Sequence, residues 1–169
     1  MSEPFVPSIT APDGDYGQVL LSRWPLVEAV TYDLSIGRFE PRRALAATAQ
    51  TPAGDLRVIA THLGLRCGER SRQVKTLCGA LDDERPAVLM GDFNDWLRYR
   101  SAQTVLEQEF AEFTKLRTYP ARVPLFALDR IFCRPAGILV SAKVVTSQPL
   151  FSDHLPLAAT LRLLTDAHR

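Results

Sequence analysis

The clearest candidate for a functional site is the short polar segment that follows an apolar run at residues 87–90. Asp92 and Asn94 are the chemically useful side chains of this segment. Buried strands commonly present site residues at their carboxyl ends. On an extended backbone positions 92 and 94 point to the same side, so both side chains would face one ligand while Phe93 anchors the other face. A plain turn is the structural alternative, because Gly, Asp and Asn all favour turns.

Three further places carry similar polar groups. His62 ends a second apolar run, Asp129 is the only acidic residue in 125–132, and Asp153 and His154 precede the last apolar run. Each has a simple structural explanation: a histidine beside a strand is often a packed side chain, Ser-Asp is common in turns, and Asp129 can pair with a nearby arginine. Four such placements within one small domain nevertheless favour a shared site.

Hydrolysis of a phosphate ester with a hard cation suits a set made only of His, Asp and Asn. Carboxylates hold Mg²⁺ or Mn²⁺ through one or two ligands and water. An imidazole takes a proton from the attacking water when a carboxylate fixes its tautomer. The sequence has no Gly-x-x-x-x-Gly-Lys-Ser/Thr loop, no Gly-x-Ser-x-Gly elbow and no zinc-like spacing of His or Cys.

Hydrophobic periodicity predicts the elements that would position these residues. The segment Pro52 to Asp55 predicts a hairpin. Helical spacing runs from Glu69 to about Asp83, and Ser101 can begin a second helix that ends near Glu109. The mixture predicts an α/β (α+β) domain with mixed sheets and helices on an outer face. Strands are expected at Tyr16–Arg23, Leu26–Ser35, Ala44–Thr51, Leu56–Thr61, Ala87–Asp92, Phe126–Phe132, Ile138–Val145 and Leu155–Leu163.

Length and composition indicate one globular domain. The chain has 169 residues, 46% of them hydrophobic, and a formal net charge of +1, so no general attraction to nucleic acid or acidic membranes is expected. Three cysteines indicate no disulfide framework. No apolar run is long enough to cross a bilayer, and residues 1–12 do not resemble a signal peptide. We expect a cytoplasmic protein with an extended lead at 1–15, one domain at 16–164 and a frayed tail at 165–169.

Three short motifs stand in this order along the sequence: Thr61-His62-Leu63, Gly91-Asp92-Phe93-Asn94 and Ser152-Asp153-His154, with Asp129 between the last two. Together they resemble the endonuclease/exonuclease/phosphatase superfamily, which includes deoxyribonuclease I-like nucleases, abasic-site endonucleases, inositol polyphosphate phosphatases and neutral sphingomyelinases. The resemblance runs from about Tyr16 to Leu163. It implies a deoxyribonuclease I-like β-sandwich with outer helices, and a phosphoesterase that depends on Mg²⁺ or Mn²⁺.

The resemblance also implies roles on the phosphate side of the site. His62 would contact the scissile phosphate and stabilise its developing charge. Asn94 would hold a non-bridging oxygen, and Asp129 would support the side of the phosphate and the leaving group. The substrate would be a nucleic acid, a phospholipid head group or a small phosphoester.

The remaining roles concern water and metal. Asp92 would orient the nucleophilic water or contact a metal ion. Asp153 would be a metal ligand or would orient His154. His154 would be the general base that activates the water.

The sequence departs from the family on its amino-terminal side. Family members begin with one strand that ends in Asn and another that ends in Glu, the principal metal ligand. Here Asn94 is the only Asn, and the only Gln-Glu pair, Gln108-Glu109, follows Asp92. We therefore expect an amino-terminally truncated fold with weakened metal binding and an exposed sheet edge that favours a homo-oligomer. The alternatives are a catalytically impaired domain that binds phosphate ligands or a protein, or a fragment of a longer enzyme.

Overall fold

The protein is described here by a computed structural model, which covers residues 5–11, 14–79, 81, 85–96, 102–146 and 151–163, with side chains from residue 17 onward. This part of the chain forms two helices and ten strands. In chain order they are β1 (Phe5–Ala11), β2 (Gly14–Val19), β3 (Leu26–Asp33), β4 (Arg43–Thr51), β5 (Gly54–His62), α1 (Cys67–Gly79), β6 (Ala87–Asp92), α2 (Ala102–Glu109), β7 (Glu112–Phe113), β8 (Asp129–Arg134), β9 (Leu139–Val144) and β10 (Leu157–Leu161).

The centre of the fold is a six-stranded sheet in the order β3-β4-β5-β6-β8-β7. The predicted hairpin is confirmed, since β4 and β5 pair antiparallel from Ala44 and Thr61 down to Thr51 and Gly54. β5 and β6 are parallel, so the chain must cross over between them, and α1 makes this connection. The carboxyl ends of β5 and β6 therefore meet at one edge of the sheet.

Helices cover one face of this sheet and short strand pairs cover the other. On the helical side, Val74 and Leu77 of α1 and Leu106 of α2 pack against Leu89 and Phe132. On the opposite face the pair β9–β10 packs over β6 and β8, and the pair β1–β2 lies over β4 and β5. The expectation of mixed sheets with helices on an outer face is confirmed.

The amino-terminal segment differs from the expectation. Residues 5–11 pair antiparallel with residues 14–19, so paired structure begins well before Tyr16, and β2 ends at Val19 rather than at Arg23. The pairing depends on a partner strand, which single-strand periodicity does not reveal. The predicted end of the first helix, near Asp83, and the predicted start of the second, at Ser101, lie outside the described residues. Residues 165–169 of the tail also lie outside them. In the described part, neither helix is long and apolar enough to span a bilayer.

Gly91 is required where β6 runs beside β5. Its φ is 148°, and an added Cβ would lie 1.8 Å from the carbonyl oxygen of Thr61. A side chain cannot occupy that space without displacing one of the two central strands. This close approach brings the ends of β5 and β6 together.

Candidate active site

Strand register places three of the sequence-predicted residues in one row. His62 pairs with Asp92 across the parallel strands, and Asp92 pairs with Asp129 across the antiparallel strands. Backbone hydrogen bonds continue this alignment beyond the strands, from Leu63 N to Asp92 O (2.9 Å) and from Phe93 N to Leu128 O (2.9 Å). The row therefore lies across the ends of β5, β6 and β8.

Asn94 joins the row through a turn rather than through an extended strand. Asp92 Oδ1 accepts a hydrogen bond from the backbone N–H of Asn94 (2.8 Å), and Asn94 has a left-handed φ of 49°. Asn is one of the few residues that tolerate this conformation. The expected extended geometry is thus wrong in detail, although Phe93 does anchor the segment in the core, where it is 1% exposed.

The amide group of Asn94 bridges two parts of the site. Its Nδ2 donates to the carbonyl oxygen of Leu63 (2.9 Å), which fixes the amide orientation, and lies 3.1 Å from His62 Nε2. Nδ2 has a second hydrogen to donate, so His62 Nε2 acts as the acceptor in this contact. The geometry therefore favours a neutral His62 with its proton on Nδ1.

The electrostatic surroundings of His62 agree with this assignment. Burial and the nearby positive charge of Arg42 lower the pKa of His62, and the carboxylates of Asp92 and Glu40 oppose the effect only in part. His62 Nε2 lies 3.5 Å from Asp92 Oδ2. At neutral pH His62 is accordingly an uncharged hydrogen-bonding group.

His154 comes from the segment before β10, in the other layer of the fold, and contacts the same row. Its Nδ1 lies 2.7 Å from Asp129 Oδ2, and its Nε2 lies 3.9 Å from Asp92 Oδ2. The ring of Tyr119 packs against the imidazole at a centroid distance of 4.8 Å. Asp129 therefore holds the proton on Nδ1 and leaves Nε2 facing Asp92.

One of the two roles expected for Asp153 was to orient His154, and the structure gives this role to a different carboxylate. The carboxylate bonded to the imidazole is Asp129, which is 25 residues away in sequence. Asp153 is exposed, and its backbone oxygen accepts from Ala121 N (2.7 Å), which fixes the segment against a neighbouring loop. Asp153 faces the pocket but does not orient His154.

Opposing influences act on the pKa of His154. Partial burial lowers it, but the hydrogen bond and charge of Asp129, with the charges of Asp92 and Asp153, outweigh burial and raise the net pKa. The two histidines of the site therefore shift in opposite directions. His154 is the stronger base of the two.

These residues surround one open pocket of about 980 Å³, which also contains groups that the sequence analysis missed. Arg42 and Glu40 form one part of the wall, and their only sequence signal was a pair of arginines before an apolar strand. An apolar wall contains exposed Trp96 and Phe126, whose rings meet edge to face at 5.7 Å. All six predicted residues line the pocket: His62, Asp92, Asn94, Asp129, Asp153 and His154.

Buried polar side chains of α1 hold the loops around the pocket. Arg70 donates to the carbonyl oxygen of Leu65 (2.6 Å) and to Asp95 Oδ1 (3.2 Å), and the side chains of Arg70 and Asp95 are each 1% exposed. Gln73 accepts from Gly64 N (2.9 Å) and donates to Leu34 O (3.1 Å). The loop after His62 is thus tied to the loop that carries Asn94 and Trp96.

The pocket lining contains carboxylates, which are the usual protein ligands of a hard cation. No group of three or more His, Cys, Asp or Glu residues within the described ranges has the arrangement of a preformed metal cage. Mg²⁺, however, commonly takes only one or two carboxylates and completes its shell with water and substrate phosphate. Asp92 and Asp153 line the pocket, and Asp153 is exposed there. These two carboxylates match that requirement.

Comparison with known proteins agrees with the fold and shows the family. The chain matches the model of the endonuclease/exonuclease/phosphatase family over residues 3–154, and it belongs to this family. Enzymes of the family act on phosphate esters and generally use divalent metal ions. The uncharacterized protein YbhP of Escherichia coli K12 is 34% identical over an alignment of 168 positions that covers 90% of this chain. The chain spans 65% of the length of YbhP.

Solved structures confirm the α+β, deoxyribonuclease I-like fold. The endonuclease/exonuclease/phosphatase from Bacteroides vulgatus superimposes with a TM-score of 0.77 at 21% identity, covering 96% of this chain and 76% of that one. The mannosyl-6-phosphatase Bt3783 of Bacteroides thetaiotaomicron superimposes with a TM-score of 0.72 at 15% identity, covering 95% and 77%. At these identities the similarity concerns the fold alone.

Proposed function

We propose that this protein is a divalent-metal-dependent phosphoesterase that hydrolyses a phosphate ester with an activated water. The observation that carries the proposal is the pairing of Asp129 with His154, which leaves His154 Nε2 free and 3.9 Å from Asp92 Oδ2. A water that bridges these two atoms would be oriented by Asp92 and deprotonated by His154. Neutral His62 and Asn94 lie on the other side of Asp92, where a phosphate oxygen that displaced His62 Nε2 from the Asn94 amide would accept one of its N–H groups.

His154 and solvent take up and return the protons that the proposed reaction moves. The water oxygen forms a bond to phosphorus while its proton passes to His154 Nε2. The bond between phosphorus and the leaving-group oxygen then breaks, and the protonated His154 or solvent returns a proton to that oxygen. Asp129 stabilises the imidazolium that forms between these steps.

We propose that Asp153 and Asp92 hold the metal ion, and that substrate phosphate completes the site. When bound, the ion neutralises charge that builds up on the phosphate. Activity should disappear in EDTA and return with Mg²⁺ or Mn²⁺. The Asp153→Asn variant should need a higher metal concentration for half-maximal activity, whereas an unchanged metal requirement would argue against this carboxylate.

The apolar wall supports a substrate with a bulky or flat group next to its phosphate. Trp96 is 60% exposed and Phe126 is 37% exposed, and their rings touch, so together they offer an exposed aromatic surface to a ligand. Nucleic acids, phospholipid head groups and small phosphoesters all remain candidates for the substrate. We favour a short ester over a long duplex, because the chain has a net charge of only +1.

The direct test is hydrolysis of bis-p-nitrophenyl phosphate with Mg²⁺ or Mn²⁺. His154→Ala and Asp92→Ala should each lower the rate by about 10²–10⁴-fold, the usual contribution of a general base or its partner. Asp55→Ala is the matched control, because Asp55 is exposed at the opposite end of β5. Metal-dependent turnover that survives the change of His154 would refute the mechanism.

A binding domain is the second candidate function. Asn94 is the only Asn of the sequence, so the amino-terminal Asn that the family resemblance implies is missing, and this favours a catalytically impaired domain that binds phosphate ligands or a protein. No turnover with any metal, together with measurable binding of a phosphate ester, would select this candidate. The hydrolysis assay and a binding assay on the same preparation separate the two functions.

We also propose that the chain self-associates. β2 and β10 each belong to a two-stranded sheet, so each has one edge without a strand partner among the described residues. Unpaired strand edges favour pairing with a second chain. Light scattering after size-exclusion chromatography should give the mass of a dimer or larger assembly, and a stable monomer at all concentrations would reject this proposal.

A further inference from the structure

Arg42 is a nearly buried cation in the wall of the pocket. Its backbone is fixed beside β4, where its carbonyl oxygen accepts from Leu34 N (2.8 Å) and its N–H donates to Ser35 Oγ (3.3 Å). The residue is only 6% exposed, although its side chain lines the pocket. A guanidinium in this position cannot move freely to find other partners.

The hydrogen bonding of this guanidinium is incomplete. Its one described side-chain bond joins NH2 to Glu40 Oε2 (3.0 Å), and the Glu40 side chain is 48% exposed. Arg42 Nε is buried and has no hydrogen-bond partner among the described residues. Arg carries five N–H donors, and burying charged donors without partners is costly. Because Nε is itself buried, an acceptor that enters from the pocket would bind NH1 or NH2, which are not buried without partners among the described residues.

The unpartnered Nε does not set Arg42 apart among the described residues, since the buried Arg70 and Arg130 also have one; the other partners of the guanidinium do. Arg70 bonds two backbone carbonyls and the buried Asp95, and Arg57 bonds the Glu28 carbonyl and the Thr48 hydroxyl. Their described partners belong to the fold itself. The described side-chain partner of Arg42 is instead a half-exposed carboxylate of the pocket rim.

We propose that the Arg42 guanidinium binds the non-bridging oxygens of the substrate phosphate, and that Glu40 occupies it until substrate displaces the carboxylate. The inference rests on the phosphoesterase function proposed above and adds a substrate-binding residue to it. Arg is suited to the role because its planar fork matches two phosphate oxygens. Glu40 is a built-in competitor, since its carboxylate takes the same donors and repels an incoming anion.

Because Glu40 competes with the anion for Arg42, removing the charge of Glu40 should strengthen anion binding. Inorganic phosphate is the probe, and its affinity for the full chain is measured by calorimetry in EDTA, where no metal contributes. Glu40→Gln should tighten binding severalfold. Arg42→Gln should weaken it by about tenfold or more, as expected for loss of a charge-assisted hydrogen bond.

Two controls make the result specific. Arg38→Gln removes an exposed positive charge from the same loop and should change phosphate affinity little. Arg42→Lys keeps the charge but loses the fork, so its affinity should fall between those of the wild type and Arg42→Gln. Circular dichroism establishes that each variant folds, and the Glu40→Gln result decides alone if Arg42→Gln does not.

The outcomes separate this inference from the proposed function. Wild-type affinity in folded Arg42→Gln, equal losses in Arg38→Gln and Arg42→Gln, or no gain in Glu40→Gln would each overturn the role of Arg42. Phosphate binding that depends on Arg42 in a protein that hydrolyses no ester would instead refute the phosphoesterase and leave an anion site. Ester hydrolysis together with unchanged phosphate binding in Arg42→Gln would refute the role of Arg42 and leave the phosphoesterase function in place.

Discussion

The buried ion pair between Arg70 and Asp95 provides the sharpest test of how the pocket is held together. The two side chains meet at 3.2 Å, and each is 1% exposed. Asp95 Oδ2 also accepts from Gln103 N (3.2 Å), so the carboxylate joins α1 to the start of α2. Replacing Arg70 by Met removes the described cation partner of this buried carboxylate.

Removing one partner of a buried pair typically costs about 3–5 kcal/mol, because the remaining charge is left without compensation. Arg70→Met should therefore lower the free energy of unfolding in urea by about that amount. The double variant Arg70→Met with Asp95→Leu removes both charges, so it should lose less than the sum of the two single variants. The difference is the coupling energy of the pair.

The exposed pair Lys115–Glu107 is the matched control. Its atoms are 3.6 Å apart, but the side chains are 57% and 33% exposed, so Lys115→Met should cost only about 0–1 kcal/mol. A loss in Arg70→Met as small as that in Lys115→Met would refute the reasoning. So would strict additivity in the double variant, because the pair would then carry no coupling.

Three other properties follow from the structure. Gly91→Ala should destabilise the fold and abolish hydrolysis, because its Cβ would lie 1.8 Å from Thr61 O; thermal unfolding and the ester assay measure this. Cys133, fully buried and with its pKa raised to about 12 by burial, should resist iodoacetamide at pH 8 until urea is added. Asp129→Asn should lower the pKa of His154, which a histidine NMR titration in EDTA measures directly.

The raised pKa of His154 predicts the direction in which pH changes the stability of the fold. The folded-state pKa of His154 lies above its ordinary value of 6.5, so the protonated ring contributes stability that is fully present below pH 6.5. This contribution is lost as the pH rises through the folded-state pKa. The stability advantage of the wild type over Asp129→Asn in EDTA should therefore shrink above pH 6.5, and a constant advantage would contradict the assignment.

A stable, active Gly91→Ala protein would contradict the close approach of β5 and β6. Labelling of native Cys133 at the rate seen in urea would show that its strand opens readily. Each result bears on a different strand of the central sheet, so one failure leaves the other expectation untouched.

Much of the fold was predictable because its signals are local. The hairpin β4–β5 follows from two apolar runs and the turn at 52–55, and β6 follows from a run that ends at Gly91. The amphipathic spacing of α1 indicates its buried face. The pairing of β1 with β2 was missed, since a short segment with several prolines gives no local sign of its partner strand.

The sequence by itself determined which side chains are available for chemistry. They lie within or directly beside apolar runs, and all six line one pocket: His62, Asp92, Asn94, Asp129, Asp153 and His154. Only the tertiary structure decided how they combine. Asp129, and not its sequence neighbour Asp153, holds His154, because β8 and the segment before β10 meet across two layers. Arg42 entered the site for the same reason: contacts between distant segments depend on packing, which spacing along the chain does not encode.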